Sequence, residues 1–295
     1  MNIDENITTF DWMDQWLTTY VQPSLAEKTC QSYRAVLNIL KRDCPELSQL
    51  PLQKMNGLYA QKVINQLADK YSKSTLNSLR TIFHESSVVA SEVPAFHSQT
   101  IGKLRIPERA SQKTVRALTR TEQQVVEEAA QHTYLGYIAL FFLLTGLRAE
   151  ELCNLDWPDF KRKERTIFIR KSKTPAGIRQ VPLRKEAMRI ILIQPKNSRD
   201  NAIFHSERYG TPITPSVLHK LYLRLRRETG VNFLTTHVYR HTFATRALED
   251  GMNVKALSRI LGHESVAFTM QRYCSPDTKF LQEQMDMLDN IHDPF

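Results

Sequence analysis

The chain has 295 residues, of which 41% are hydrophobic and 24% charged, enough to bury the cores of about two ordinary domains. Nine glycines, with no G-X-Y period and no polar tract, exclude collagen-like and disordered classes. Lysine and arginine exceed aspartate and glutamate by nine, a balance that favours a polyanionic partner, with nucleic acid ahead of a membrane surface.

The first hundred residues predict four helices. Phe10, Met13, Leu17 and Tyr20 recur at helical spacing and mark the buried face of the first. Tyr33, Leu37 and Leu40 do so for a second that starts after Pro23-Ser24 and ends at Asp43-Cys44-Pro45. A third spans 58–68 and a fourth about 74–89, where Leu76, Leu79 and Phe83 mark one face and Pro94 closes the element. From 102 to 120 the apolar period fades, and Lys103, Arg105, Arg109, Lys113, Arg116 and Arg120 follow in quick succession around Pro107. Such a run is either a solvated loop or, between two domains on DNA, a linker lying along phosphates.

Thr119 to Glu122 has capping-box spacing and opens a helix to about residue 131. The longest apolar stretch, 134–147, is shorter than the roughly twenty residues a spanning helix needs and predicts a buried helix stopped by Gly146. Residues 166–169 and 178–183 read as a hairpin around a Pro- and Gly-containing turn, 171–177. Helices follow over 217–228, over 236–250 with Gly251 as the stop, and over 254–261 with Gly262 as the stop. The fold class is mainly α with a small β-sheet (α+β). The start of the chain lacks the basic and apolar regions of a secretory signal. Cys30, Cys44, Cys153 and Cys274 form no CxxC pair, so reduced thiols in the cytoplasm are expected.

Four places combine positive or hydrogen-bonding side chains with sharp local structure. Arg148 follows a glycine stop and opens the next helix, where its planar fork could face an oxyanion; a salt bridge to Glu150 or Glu151 is the alternative. Lys173 sits in the hairpin turn beside Arg170 and Lys171, where a lysine delivers a proton or a point charge, although surface lysines are ordinary. His237 and Arg240 share a helix face near its start. His237 and His241 have the spacing of a zinc pair, but the motif lacks the HExxH glutamate and carries a guanidinium. His263 follows Leu261-Gly262, and Tyr273 comes ten residues later, where a tyrosine is either core or nucleophile.

Together these residues resemble the tyrosine recombinases, the integrase and Xer group. The likeness runs through the Thr145-Gly146-Leu147-Arg148 box with Glu151-Leu152, Lys173 before Arg179-Gln180-Val181-Pro182-Leu183, His237-x-x-Arg240, Leu261-Gly262-His263, and Tyr273. It implies a helical SAM-like core-binding domain over 1–101, a basic interdomain linker over 102–117 and a catalytic domain over 118–295. The two domains would clamp duplex DNA. Tyr273 would attack a scissile phosphate to give a 3′-phosphotyrosyl link and a free 5′-hydroxyl, conserving the bond without ATP. Arg148 and Arg240 would bind the non-bridging oxygens, Lys173 would be the general acid for the leaving oxygen, favoured over its turn neighbour Lys171 by counting back from the Val181-Pro182-Leu183 strand, His237 an acid–base group, and His263 a hydrogen-bond partner of the phosphate or the tyrosine. Glu151 would support the site. The guanidiniums and the lysine supply the charge that a metal supplies elsewhere, so no metal or cofactor is expected.

Lys103, Arg105, Arg109, Lys113, Arg116 and Lys171 are the expected DNA-backbone contacts. The implied partners are double-stranded DNA at specific sites, three further copies in a tetramer on DNA (a monomer or weak dimer when free), and an accessory directionality factor; no membrane is involved. The implied setting is a bacterial or phage-encoded cytoplasmic protein associated with the nucleoid. Phe280, Met285 and Leu288 in the tail, 277–295, fit a helix that either packs on its own domain or is donated to a neighbour. With the helical bundle beginning almost at Met1, no arm-binding domain is expected before it. A catalytically silent DNA-binding or architectural protein and a type IB topoisomerase are the rival readings.

Overall fold

The computed structural model describes residues 6–93, 96, 100–112, 115–172, 174–197, 199–206, 210–267, 269, 282 and 285–286. They belong to two units, Met1–Thr114 and Val115–Phe295.

In the first unit, Thr8 caps α1 (Thr9–Trp16) by accepting from the Asp11 amide. The chain then takes a π-helical turn over Leu17–Val21, passes through the short α2 (Gln22–Ser24), and enters α3 (Glu27–Asp43). The wider turn shifts the buried face by one residue, so Val21 is buried and Tyr20, expected inside, is exposed. Asn56 caps α4 (Gly57–Leu67) and Ser72 caps α5 (Lys73–Ser91). Trp12, Leu17, Leu37, Leu40, Ile64, Leu76 and Phe83 make the core, and the Trp12 indole N–H donates to Ser86 O at 2.9 Å, tying α1 to α5.

The basic stretch 102–117, expected as a linker, packs in large part on this unit. Ile101, Leu104 and Ala110 enter its core because apolar side chains are interleaved with the basic ones. The Gln61 amide also clasps the Arg105 backbone, donating to its carbonyl and accepting from its N–H, each at 2.8 Å.

The second unit opens with the Thr119/Glu122 capping box on α6 (Arg120–His132), as the spacing predicts. The apolar α7 (Gly136–Thr145) follows, buried on most of its circumference, and then the short α8 (Ala149–Cys153). Strands β1 (Phe160–Lys161), β2 (Thr166–Ile169) and β3 (Arg179–Pro182) form an antiparallel sheet in that order, with Ile167 opposite Val181 and Ile169 opposite Arg179. Helix α9 (Lys185–Leu192) and a second hairpin, β4 (His205–Ser206) with β5 (Thr211–Pro212), were not visible in the sequence pattern. Three further helices follow: α10 (Pro215–Thr229), α11 (Thr236–Glu249) and α12 (Val254–Leu261). Its core gathers Ile138, Phe141, Phe142, Leu147, Ile167, Val181, Leu218, Leu225 and Tyr239. The fold is therefore mainly α with small sheets. Among the described residues no helix is long and apolar enough to cross a membrane.

Candidate active site

The site is built on two helix C-termini. Helix α7 stops at Gly146, whose φ of 64° belongs to the left-handed region that favours glycine. A Cβ there would lie 2.4 Å from the Phe243 ring and 3.0 Å from Leu261 Cδ2, so α11 and α12 close directly on this turn. Helix α12 stops in the same way at Gly262, with φ 68°.

The carbonyls that a helix leaves unpaired at its end carry the negative end of its dipole. At α12, three consecutive ones each accept from a different arginine. Arg179 Nε donates to Ile260 O at 2.5 Å, Arg240 Nη2 to Leu261 O at 2.6 Å, and Arg148 Nη2 to Gly262 O at 3.2 Å. Arg240, only 5% exposed, also donates from Nη1 to Gly146 O at 2.8 Å and thereby bridges the two helix ends. Its Nη2 lies 2.9 Å from His263 Nε2. A guanidinium has no acceptor, so Nε2 accepts and the ring proton sits on Nδ1, 2.7 Å from Thr269 Oγ1.

Glu151 holds the second half of the arrangement. It is buried on α8, and its carboxylate takes four hydrogen bonds. Oε1 accepts from Arg148 Nη1 at 2.7 Å and Arg179 Nη1 at 2.9 Å; Oε2 accepts from the Arg148 backbone N–H at 2.9 Å and Arg179 Nη2 at 3.2 Å. Burial by itself raises the carboxyl pKa, but the hydrogen bonds and charges of Arg179 and Arg148 outweigh it and hold the group below its ordinary value. The salt bridge weighed from the sequence is thus present, and Glu151 takes both the side chain and the backbone N–H of Arg148.

His237 is exposed near the start of α11, one turn before Arg240 on the same face. Lys173 and Tyr273 lie outside the described residues. Two other tyrosines of the unit are unfit as nucleophiles. Tyr222 and Tyr239 are buried edge to face, with ring centroids 5.8 Å apart, and burial pushes both phenols well above their ordinary range.

Of the expected DNA contacts, Lys103, Arg105 and Lys171 are exposed, and Lys113 lies outside the described residues. Arg109 and Arg116, also exposed, are engaged in ion pairs. Arg109 Nε meets Asp69 Oδ1 at 2.8 Å, while Arg116 forks onto Glu122 at 2.6 and 2.7 Å and stacks over Phe233. Among the described residues no group of three or more His, Cys, Asp or Glu could hold a metal ion, and the His237/His241 pair gains no third ligand.

Sequence reasoning assigned no role to Arg179. A signal was present: along β3 the side chains alternate, and Arg179 shares the inward face with the buried Val181 and Leu183. A charge on that face calls for a buried partner, which Glu151 supplies.

The sequence model described as the phage integrase family matches residues 109–279, more than half of the chain. The chain belongs to the phage integrase family. A tyrosine recombinase XerC-like protein of Caldanaerobacter subterraneus subsp. tengcongensis is 26% identical over 92% of this chain and 81% of its own length. The transposase from transposon Tn916 of Enterococcus faecalis is 25% identical over 85% of this chain and 70% of its own. Among solved structures, the Tn1549 transposon integrase in complex with transposon right end DNA has a TM-score of 0.77 at 20% identity, covering 95% of this chain and 99% of that one. A lambda integrase tetramer bound to a Holliday junction has a TM-score of 0.73 at 20% identity, covering 93% and 80%. As a tyrosine recombinase, this phage integrase family member is a site-specific enzyme that cleaves and rejoins DNA through a phosphotyrosyl intermediate.

Proposed function

We propose that Tyr273 is the nucleophile of this recombinase and that Arg148, Lys173, His237, Arg240 and His263 complete its site. The phenolic oxygen attacks the scissile phosphorus, the bond to the 5′-oxygen breaks, and that oxygen leaves as a hydroxyl with a proton from Lys173. A phenol of ordinary pKa near 10 is mostly protonated at neutral pH, so its proton passes to a neighbouring acceptor, the role given to His237. Arg148 and Arg240 stabilise the charge that builds on the non-bridging oxygens; donors of this kind are each worth about 10²–10³ in rate. The second half-reaction reverses these steps with the 5′-hydroxyl of the partner duplex, so the bond is conserved.

What supports this reading is the meeting of Arg148, Arg240 and His263 at the end of α12, from three elements far apart in sequence. Binding alone does not need a histidine held in one tautomer between a guanidinium and a hydroxyl. The Met1–Thr114 unit is proposed as the core-binding domain, with Lys103 and Arg105 on the DNA backbone. By analogy with the lambda integrase tetramer on a Holliday junction, four copies of this chain act on two sites, in integration, excision, resolution or inversion.

The test is incubation with nicked suicide substrates carrying candidate sites, in EDTA, comparing wild type with Tyr273→Phe on a denaturing gel. A covalent protein–DNA band from wild type alone is expected. Equal bands from both would show that Tyr273 is not the nucleophile. Tight binding with no band from either would return the protein to a binding role.

A further inference from the structure

Glu151 poses an electrostatic problem that Arg179 solves. A carboxylate paired with Arg148 alone would cancel the charge that Arg148 must present to a phosphate. With Arg179 on its other side, the cluster of Arg148, Glu151 and Arg179 carries one net positive charge. We infer that Arg179 is a positioning residue that neutralises Glu151, so that Glu151 can orient Arg148 without quenching it. This rests on the recombinase reading of the site.

The geometry separates this task from phosphate binding. Arg179 commits four N–H bonds inside the protein: two to Glu151, one to Ile260 O and one to Gly177 O. Its side chain is 7% exposed, whereas that of Arg148 is 34% exposed. Both guanidiniums meet the carboxylate, but Arg179 is enclosed by its partners while part of Arg148 remains open to the surface. The packing leaves Arg179 little latitude. A Cβ on Gly262 would lie 2.9 Å from Arg179 Nη1 and 3.0 Å from Gly177 Cα, so the glycine of the Leu261-Gly262-His263 box also makes room for this guanidinium and for the hairpin. A largely buried ion triad contributes little net stability, because desolvation offsets its attraction, so a role in charge balance accounts better for the three charges than stability does.

The experiment compares wild type, Arg179→Gln, Arg179→Lys and Glu151→Gln/Arg179→Gln. It reads the single-turnover rate of covalent adduct formation at saturating DNA, the Kd for the same DNA and the thermal melt of each variant. Arg179→Gln leaves Arg148 facing an uncompensated carboxylate, and the rate should fall about 10²-fold. The substitution leaves every phosphate-binding group in place, so Kd should move by less than about threefold. The double variant restores the net charge of one and should regain at least about tenfold over Arg179→Gln. Arg179→Lys keeps the charge without the fork and should stay within about tenfold of wild type.

A double variant no faster than Arg179→Gln would overturn the inference and make Arg179 a packing strut. A Kd that rises as steeply as the rate falls would do the same. If Arg179→Gln loses its cooperative melt, Arg179→Lys decides: retained cleavage supports charge balance, and a drop of about 10²-fold refutes it. A wild type that forms no adduct on any candidate site would instead overturn the recombinase reading, and the charge inference with it.

Discussion

Gly146 and Gly230 both end helices in the left-handed region, at φ 64° and 73°, but their surroundings differ completely. Around Gly230 an added Cβ would meet nothing within 4 Å, whereas at Gly146 it would lie 2.4 Å from the Phe243 ring. Gly230→Ala should therefore cost only the left-handed conformation of an L-residue, about 1–2 kcal/mol. Gly146→Ala adds overpacking of about 1–3 kcal/mol and should cost roughly 2–5 in all. Equilibrium urea unfolding followed by far-UV circular dichroism separates the two, since neither substitution alters the surface exposed on unfolding. The second consequence is chemical. The Gly146 carbonyl accepts from Arg240, so relief of the clash displaces the guanidinium as well, and adduct formation should slow by more than about tenfold for Gly146→Ala while Gly230→Ala stays near wild type. Equal destabilisation of the two variants would refute the steric argument. A Gly146→Ala protein of reduced stability but full cleavage rate would refute the link between this turn and Arg240.

Arg240→Ala strips two buried carbonyls and the His263 ring of their donor and should cost about 2–4 kcal/mol in denaturant unfolding; a cost below about 1 would mean that water replaces the guanidinium freely. Tyr239→Phe removes a buried hydroxyl with no hydrogen-bond partner among the described residues, so stability should change by less than about 0.5 kcal/mol and adduct formation should persist, in contrast to Tyr273→Phe. Glu122 is held at about 2, below its usual 4.5, by Arg116 and by the Thr119 backbone. A depressed carboxylate contributes stability above pH 4.5 that is lost as pH falls towards 2, so acid unfolding of wild type should be steeper across that window than that of Glu122→Gln; identical slopes would rule the contribution out.

Much of the architecture is local and therefore readable in sequence. Thr119 and Glu122 cap each other within one turn, Gly146 and Gly262 end helices because their own backbone requires it, and the alternation of 166–169 and 178–183 pairs two strands across a short loop. The reading departs from the structure where residue spacing alone does not decide. Tyr20 has the right spacing for an α-helix, but the π turn after Trp16 moves the buried face to Val21. Arg109 and Arg116 look like free cations in a basic run until Asp69 and Glu122 are brought to them. Within the site, Arg148, Arg240 and His263 were legible as a set because each sits in a short box of its own. Arg179 was not, because its role exists only once β3 lies between Glu151 and the end of α12.

The clustering of three arginines on one helix end has a thermodynamic meaning of its own. In a typical anion receptor, like charges repel until the ligand arrives, and the side chains pay for their ordering at that moment. Here the carbonyls of Ile260, Leu261 and Gly262 already counter the repulsion in the ligand-free protein. The side-chain entropy is surrendered during folding rather than on encounter; on the proposed reading a phosphate therefore meets Arg148 and Arg240 already ordered, with Arg179 held behind them, and its binding energy is left to favour the transition state.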